Sequence, residues 1–239
     1  MSTAIRTSRP ASPADVVALQ YTVPARLITI PLTILAGVVV VMTAVTLIVV
    51  LSGGRAAAVG GNGAVIWSLF GFIVAVGVQA VAVSFPLALA FGSTRRTFTV
   101  GTLATMAAEA VLLTVASLVL LGLEVLTGGW FVGARVLADS TLGGGNPFVL
   151  TAVMFLATVS ALAVGGLFGA AWVRFGASGP LLLGAAAAAV LVLVLLALAP
   201  QLVAAAAAFE PWWLAVAAGV VVLVATAGQY GMLRRASVR

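Results

Sequence analysis

Glu109 is the side chain best placed for chemistry, because it is an acid inside an apolar run. It lies about eleven residues into a hydrophobic stretch that begins near Phe98, roughly 16 Å along a helix at 1.5 Å per residue. A charge at the centre of a bilayer costs about 2.5–3.5 kcal/mol on insertion scales, so such a group faces protein or water. Thr102 and Thr105 precede it on the same helical face, and Ala116 continues the small, polar stripe. Gln79 falls at comparable depth in the preceding apolar stretch. If the two stretches are antiparallel neighbours, a Gln79–Glu109 hydrogen bond is expected. Gln79, Thr102, Thr105 and Glu109 then have two readings: a translocation path with a proton-sensitive carboxyl, or a polar clip between two helices. Glu124, near the end of the same stretch, is expected to be interfacial.

Other chemistry has little to work with. The chain has no Cys and no His, which removes disulfides, thiol nucleophiles, imidazole bases and the usual zinc or haem ligands. No metal site and no catalytic residue is expected. An intramembrane enzyme would be left with a lone acid and no partner nucleophile. All eleven basic residues are Arg. A phosphate-binding loop of the form G-x-x-x-x-G-K-[ST] needs a Lys, so this chain cannot hydrolyse ATP by that motif. The arginines are scattered singly or in pairs between apolar runs, which speaks against nucleic acid.

The elements that must position these residues are membrane helices. Hydrophobic residues make up 64% of the chain and charged ones 7%. A soluble protein needs about 25% charged residues for its surface, so lipid is much of the solvent here. An all-α polytopic fold with six transmembrane helices is expected, over residues 27–51, 64–91, 98–123, 148–173, 180–199 and 212–232. Gly, Ser, Asn and Pro clusters mark the breaks, and the longest loop covers residues 127–147. Pro86 should kink the second span by freeing the carbonyl of Ala82. Gly165 and Gly169 form a small-xxx-small pair, although with Gly166 they also weaken the end of the fourth span. The domain plan is an N-terminal segment 1–26, a membrane domain 27–232 and a tail 233–239. In the first, Ser12 and Pro13 signal a short interfacial helix over 13–23, with Val16, Leu19 and Val23 on one face. The run 27–51 is too long for a signal-peptide core and is read as a retained helix. Gln201–Glu210 is either a re-entrant helix or an extension of the fifth span, ahead of a Trp212–Trp213 interfacial anchor.

Placing both termini in the cytoplasm puts nine arginines inside and leaves Arg55 and Arg135 outside. That asymmetry matches the positive-inside rule. The expected location is a bacterial cell (inner) membrane.

With this topology the loop Phe91-Gly92-Ser93-Thr94-Arg95-Arg96-Thr97-Phe98 becomes informative. Together with the N-terminal segment, the six spans and the segment after the fifth, it resembles the membrane permease subunit of ATP-binding-cassette exporters of the drug- and polysaccharide-exporter type. The resemblance covers nearly the whole chain. It implies that Gly92, Ser93, Arg95, Arg96 and Phe98 form a short coupling helix that docks on a cytoplasmic ATPase subunit, which carries ATP and Mg. It also implies a second membrane half, expected to be an identical copy, and no cofactor on this chain. The long loop 127–147 departs from a compact exporter, and the absence of a large extracellular domain argues against the lipoprotein-type mechanotransducers. The alternative is a secondary transporter or channel that works alone through Glu109. The cargo is not legible; an apolar path would suit lipophilic compounds, peptides or lipids.

Overall fold

A computed structural model of the protein describes residues 11–22, 25–60, 63–201 and 212–236. It is helical, with no strand among the described residues, and six helices are long and apolar enough to cross a membrane. These are Leu27–Leu51, Ala64–Ala90, Arg95–Leu126, Pro147–Phe175, Ser178–Ala197 and Trp212–Arg234, close to the bounds expected from hydropathy. The segment 202–210 lies outside the described residues.

We label the helices α1 (Pro13–Gln20), α2 (Ile30–Leu51), α3 (Ala64–Ala82), α4 (Ser84–Ala90), α5 (Arg95–Leu126), α6 (Pro147–Phe175), α7 (Ser178–Ala197) and α8 (Trp212–Arg234). A π-helical turn, Ala25–Thr29, leads into α2. The second span is split into α3 and α4 at Val83, three residues before Pro86. Pro86 has no N–H for the carbonyl of Ala82, so the helix breaks where expected.

Helix α6 is the hub and packs against α3, α5, α7 and α8. Its glycines do not weaken it; α6 runs unbroken to Phe175. They are packing surfaces. A Cβ on Gly165 would collide with the carbonyl oxygen of Val74, and one on Gly169 would stand 2.5 Å from that of Val78. From the other side, a Cβ on Gly77 would stand 2.5 Å from the carbonyl oxygen of Leu162. The α3 and α6 backbones therefore touch, which only hydrogen-sized side chains permit. Helix α7 is the opposite case: Gly179 alone of its residues is buried.

Arg95, Arg96, Arg174, Arg234 and Arg235 share one face of the bundle, here called the basic face. Arg55 and Arg135 lie on the opposite face. At 32 residues α5 is about 48 Å long, against roughly 30 Å of hydrocarbon. Both of its ends therefore reach the interfaces, with Glu109 near its middle.

The short N-terminal helix forms, with a capping box: the Ser12 N–H donates to the Asp15 carboxylate at 2.7 Å, and the Asp15 N–H donates to Ser12 Oγ at 3.4 Å. It does more than float in the interface. It lies on α5 where Gly101 leaves room: a Cβ there would stand 2.6 Å from Val16 Cβ and 2.7 Å from the carbonyl oxygen of Pro13. Val16 is accordingly buried.

Candidate functional site

Two regions carry the residues singled out by the sequence, and a third carries one that the sequence undervalued.

The first is the turn between α4 and α5. It is a tight turn over residues 91–94 and not the expected short helix. Gly92, at φ 82°, supplies a left-handed conformation that favours glycine. The Ser93 N–H donates to the Ala88 carbonyl at 2.9 Å, and Thr94 caps α5 by accepting from the Thr97 N–H at 3.1 Å. Of the five residues expected to couple, Gly92 and Arg96 are exposed, whereas Ser93 and Phe98 are buried. Phe98, expected to dock on the ATPase with the other coupling residues, is instead fully buried, edge-on to Phe85 at 5.1 Å. Arg95 is half-buried and donates to the main-chain carbonyls of Leu233 and, at 2.8 Å, Ala236. A cation that satisfies the orphan carbonyls at a helix C-terminus is favourable by charge and by hydrogen bonding. Phe98 also belongs to a core cluster that includes Val16 of α1, Phe85 of α4, Ala170 of α6 and Leu233 of α8. The turn is thereby joined to five helices.

The second region surrounds Glu109. The side chain is fully buried, and neither carboxyl oxygen has a hydrogen-bond partner among the described residues. The structure does not form the Gln79–Glu109 pair: Gln79 is exposed on the outside of α3. Nor are the threonines partners of the acid. Thr105 Oγ1 donates back to the Gly101 carbonyl at 3.1 Å. Thr102 accepts at 3.0 Å from Gln20 Nε2, which also reaches the Ala80 carbonyl at 3.2 Å. Gln20, from α1, is thus the polar clip between the second and third spans. The next residue, Tyr21, is half-buried; burial first, and the Glu109 carboxylate second, raise its phenol above the ordinary value of 10.0. Gln229 of α8 is buried with its amide unpaired among the described residues, against Gly166 and the end of Met106. Glu109 and Gln229 therefore hold unused hydrogen-bonding capacity in a packed interior, where polar groups are normally paired.

The third region is the loop 127–146 on the opposite face. Glu124 was expected to be merely interfacial, yet it is buried and organises this loop. Its Oε1 accepts from the N–H groups of Val136 (3.0 Å) and Ala138 (2.9 Å). Its Oε2 accepts from the Leu137 N–H (2.8 Å) and Trp130 Nε1 (3.0 Å). The loop is a folded cap, with Ala134, Val136, Leu137 and Leu142 in the core. Trp130 and Phe131 are held at φ 55° and 65°, a costly backbone for residues with bulky side chains. The sequence signal was present: an acid at a helix end followed by a Gly-rich stretch that needs its N–H groups satisfied.

Among the described residues no group of His, Cys, Asp and Glu is placed to hold a metal ion. A scan of protein-family models and searches of curated proteins and of solved structures return no match to this chain.

Proposed function

We propose that this chain is the membrane permease subunit of an ATP-driven exporter, working with a separate ATP-binding-cassette ATPase and a second membrane half, an identical copy. In this reading the basic face is cytoplasmic, and ATP and Mg act on the ATPase. This chain does no covalent chemistry; it conducts cargo and receives force.

The braced turn supports this reading. Arg96 and Gly92 are exposed at its tip, while Arg95 and Phe98 beneath them tie it to α8, α4, α6 and α1. A partner that moves Arg96 therefore moves helices of both the N-terminal and the C-terminal half, which a floppy loop would not do. The coupling assignment narrows accordingly. Arg96 and Gly92 present the docking surface, and Ser93, Arg95 and Phe98 transmit displacement. Charge reversal at Arg96 should abolish co-purification of the ATPase without unfolding the chain; retained ATPase binding and retained transport would refute the assignment.

A second reading is a transporter that works alone and uses Glu109 as an ion- or proton-coupled carboxylate. The unpaired state of that buried carboxyl favours it. Transport in proteoliposomes holding this chain alone, driven by an ion gradient and lost in Glu109→Gln, would select it over the exporter.

A further inference from the structure

Helix α1 stands between the basic face and the buried acid. On α5, Thr102, Thr105 and Glu109 form one polar stripe, and all three are buried. Helix α5 starts at Arg95, so Thr102 lies on the basic-face side of Glu109, about 10 Å short of it along the helix. At that level Gln20 Nε2 bridges the second and third spans, donating to the Ala80 carbonyl at 3.2 Å and to Thr102 Oγ1 at 3.0 Å. Tyr21 packs against the core cluster that contains Met106 and Leu113, and the Glu109 carboxylate adds to the effect of burial in raising its phenol. Gln20 and Tyr21 therefore stand across the stripe on its basic-face side.

Helix α1 has eight residues, too few to hold together as a helix in water without the bundle. Its seat is the gap at Gly101, where Val16 packs into the cluster of Phe85, Phe98 and Leu233. The two Gln20 hydrogen bonds close its other end. The polar groups beneath it are not satisfied: Gln20 Oε1 and both Glu109 oxygens have no hydrogen-bond partner among the described residues. Buried polar groups are normally paired, and water reaching the stripe would pair all three. Packing of Val16 thus favours the seated helix, and solvation of the stripe favours a lifted one. Opposed terms of this kind make a two-state element. Because Val16 shares its cluster with Phe98, a displacement of the turn beneath Arg96 also loosens the seat of α1.

We propose that α1 is a gate: seated on Gly101 it shuts Glu109 off from the basic face, and lifted it opens the stripe of Thr102, Thr105 and Glu109 to water from that face alone. The gate does not rest on the exporter reading; it controls access to Glu109 whether or not an ATPase drives the chain.

The chain has no cysteine, so Thr105→Cys places a single thiol on the stripe. Its modification by a charged, membrane-impermeant methanethiosulfonate is timed in inside-out and right-side-out membrane vesicles of the full chain, with Arg96→Cys and Arg55→Cys marking the two faces. Thr105→Cys should react slowly in the otherwise unchanged chain. Gln20→Ala/Gly101→Ala removes both hydrogen bonds and fills the seat, and should raise the rate at least about tenfold, from the basic face only. Gln20→Ala alone leaves the seat intact and should give a smaller rise in the same direction; it decides the matter if the double variant loses helicity. Val16→Cys, in the same backgrounds, should become reactive in parallel as α1 lifts. The gate is overturned if Thr105→Cys reacts rapidly in the unchanged chain, or stays protected in the folded variant. It is also overturned if Thr105→Cys reacts equally from the opposite face, or reacts while Val16→Cys stays protected.

Discussion

Arg95 Nη2 donates to the main-chain carbonyl of Ala236 across 2.8 Å, joining the start of the third span to the end of the sixth. The neighbouring arginine, Arg96, has no such tie to a described residue and is exposed. Two adjacent residues of the same type are thus placed differently, one bracing two spans and the other exposed.

That difference predicts opposite outcomes for the two alanine variants. Arg95→Ala should lower stability by about 1–3 kcal/mol, because helix-end carbonyls lose a charged donor. Arg96→Ala should stay within about 0.5 kcal/mol of wild type, as an exposed substitution does. Thermal unfolding followed by tryptophan fluorescence in detergent measures both. A destabilised Arg96→Ala beside a neutral Arg95→Ala would reverse the assignment.

The glycine crossing predicts a position-specific pattern. Gly165→Ala and Gly77→Ala force the α3 and α6 backbones apart and should cost about 1–3 kcal/mol by overpacking. Gly71 and Gly122 have nothing within 4 Å of an added Cβ. Alanine at those two positions should be neutral or stabilising by up to about 1 kcal/mol through helix propensity. Equal effects at all four sites in the same unfolding assay would count against the packing.

Glu124→Gln should loosen the cap formed by residues 127–146. Each carboxylate oxygen accepts two N–H groups, so either orientation of the amide turns an NH₂ toward two donors. The expected cost is about 2 kcal/mol. Limited proteolysis should show faster cleavage within residues 127–146 while the helices stay protected. Unchanged protection of the loop would show that Glu124 does not hold it.

Glu109→Gln separates the two functional readings. Replacing this acid with a neutral isostere should leave stability equal or higher, since it has no hydrogen bond to a described residue to lose. In the exporter reading, ATP-dependent transport persists in this variant. Loss of transport with intact folding would favour the ion-coupled alternative.

Much of the architecture was legible in the sequence, for a simple reason. A span must be apolar for about 20 residues and its loops need not be, so hydropathy located the six helices and Pro86 located the break near Val83. What hydropathy could not show is which side of a helix meets protein and which meets lipid, because both are apolar. Gln79 was therefore assigned to the interior by depth, although it faces outward. Gln20, outside the spans, reaches the position that Gln79 was expected to fill. Phe98 was grouped with the exposed coupling loop from its place in the sequence, and the bundle buries it because α1 and α4 close over it. The fold of the loop 127–146 depends on one carboxylate meeting three consecutive amides; an acid at a helix end before a Gly-rich stretch signalled it, but the pattern did not say which amides it would meet.

If Arg96 meets an ATPase at the basic face, the absence of cysteine makes that contact directly testable. A single cysteine can be placed at Arg96 in the full chain, in native membranes, and cross-linked to its neighbours. The expected product is an adduct with a polypeptide that is labelled by a photoreactive ATP analogue. The same reagent at Arg55→Cys, on the opposite face, should give no such adduct. An Arg96→Cys chain that transports cargo yet yields no ATP-labelled adduct, or an equal yield from Arg55→Cys, would show that Arg96 does not meet an ATPase.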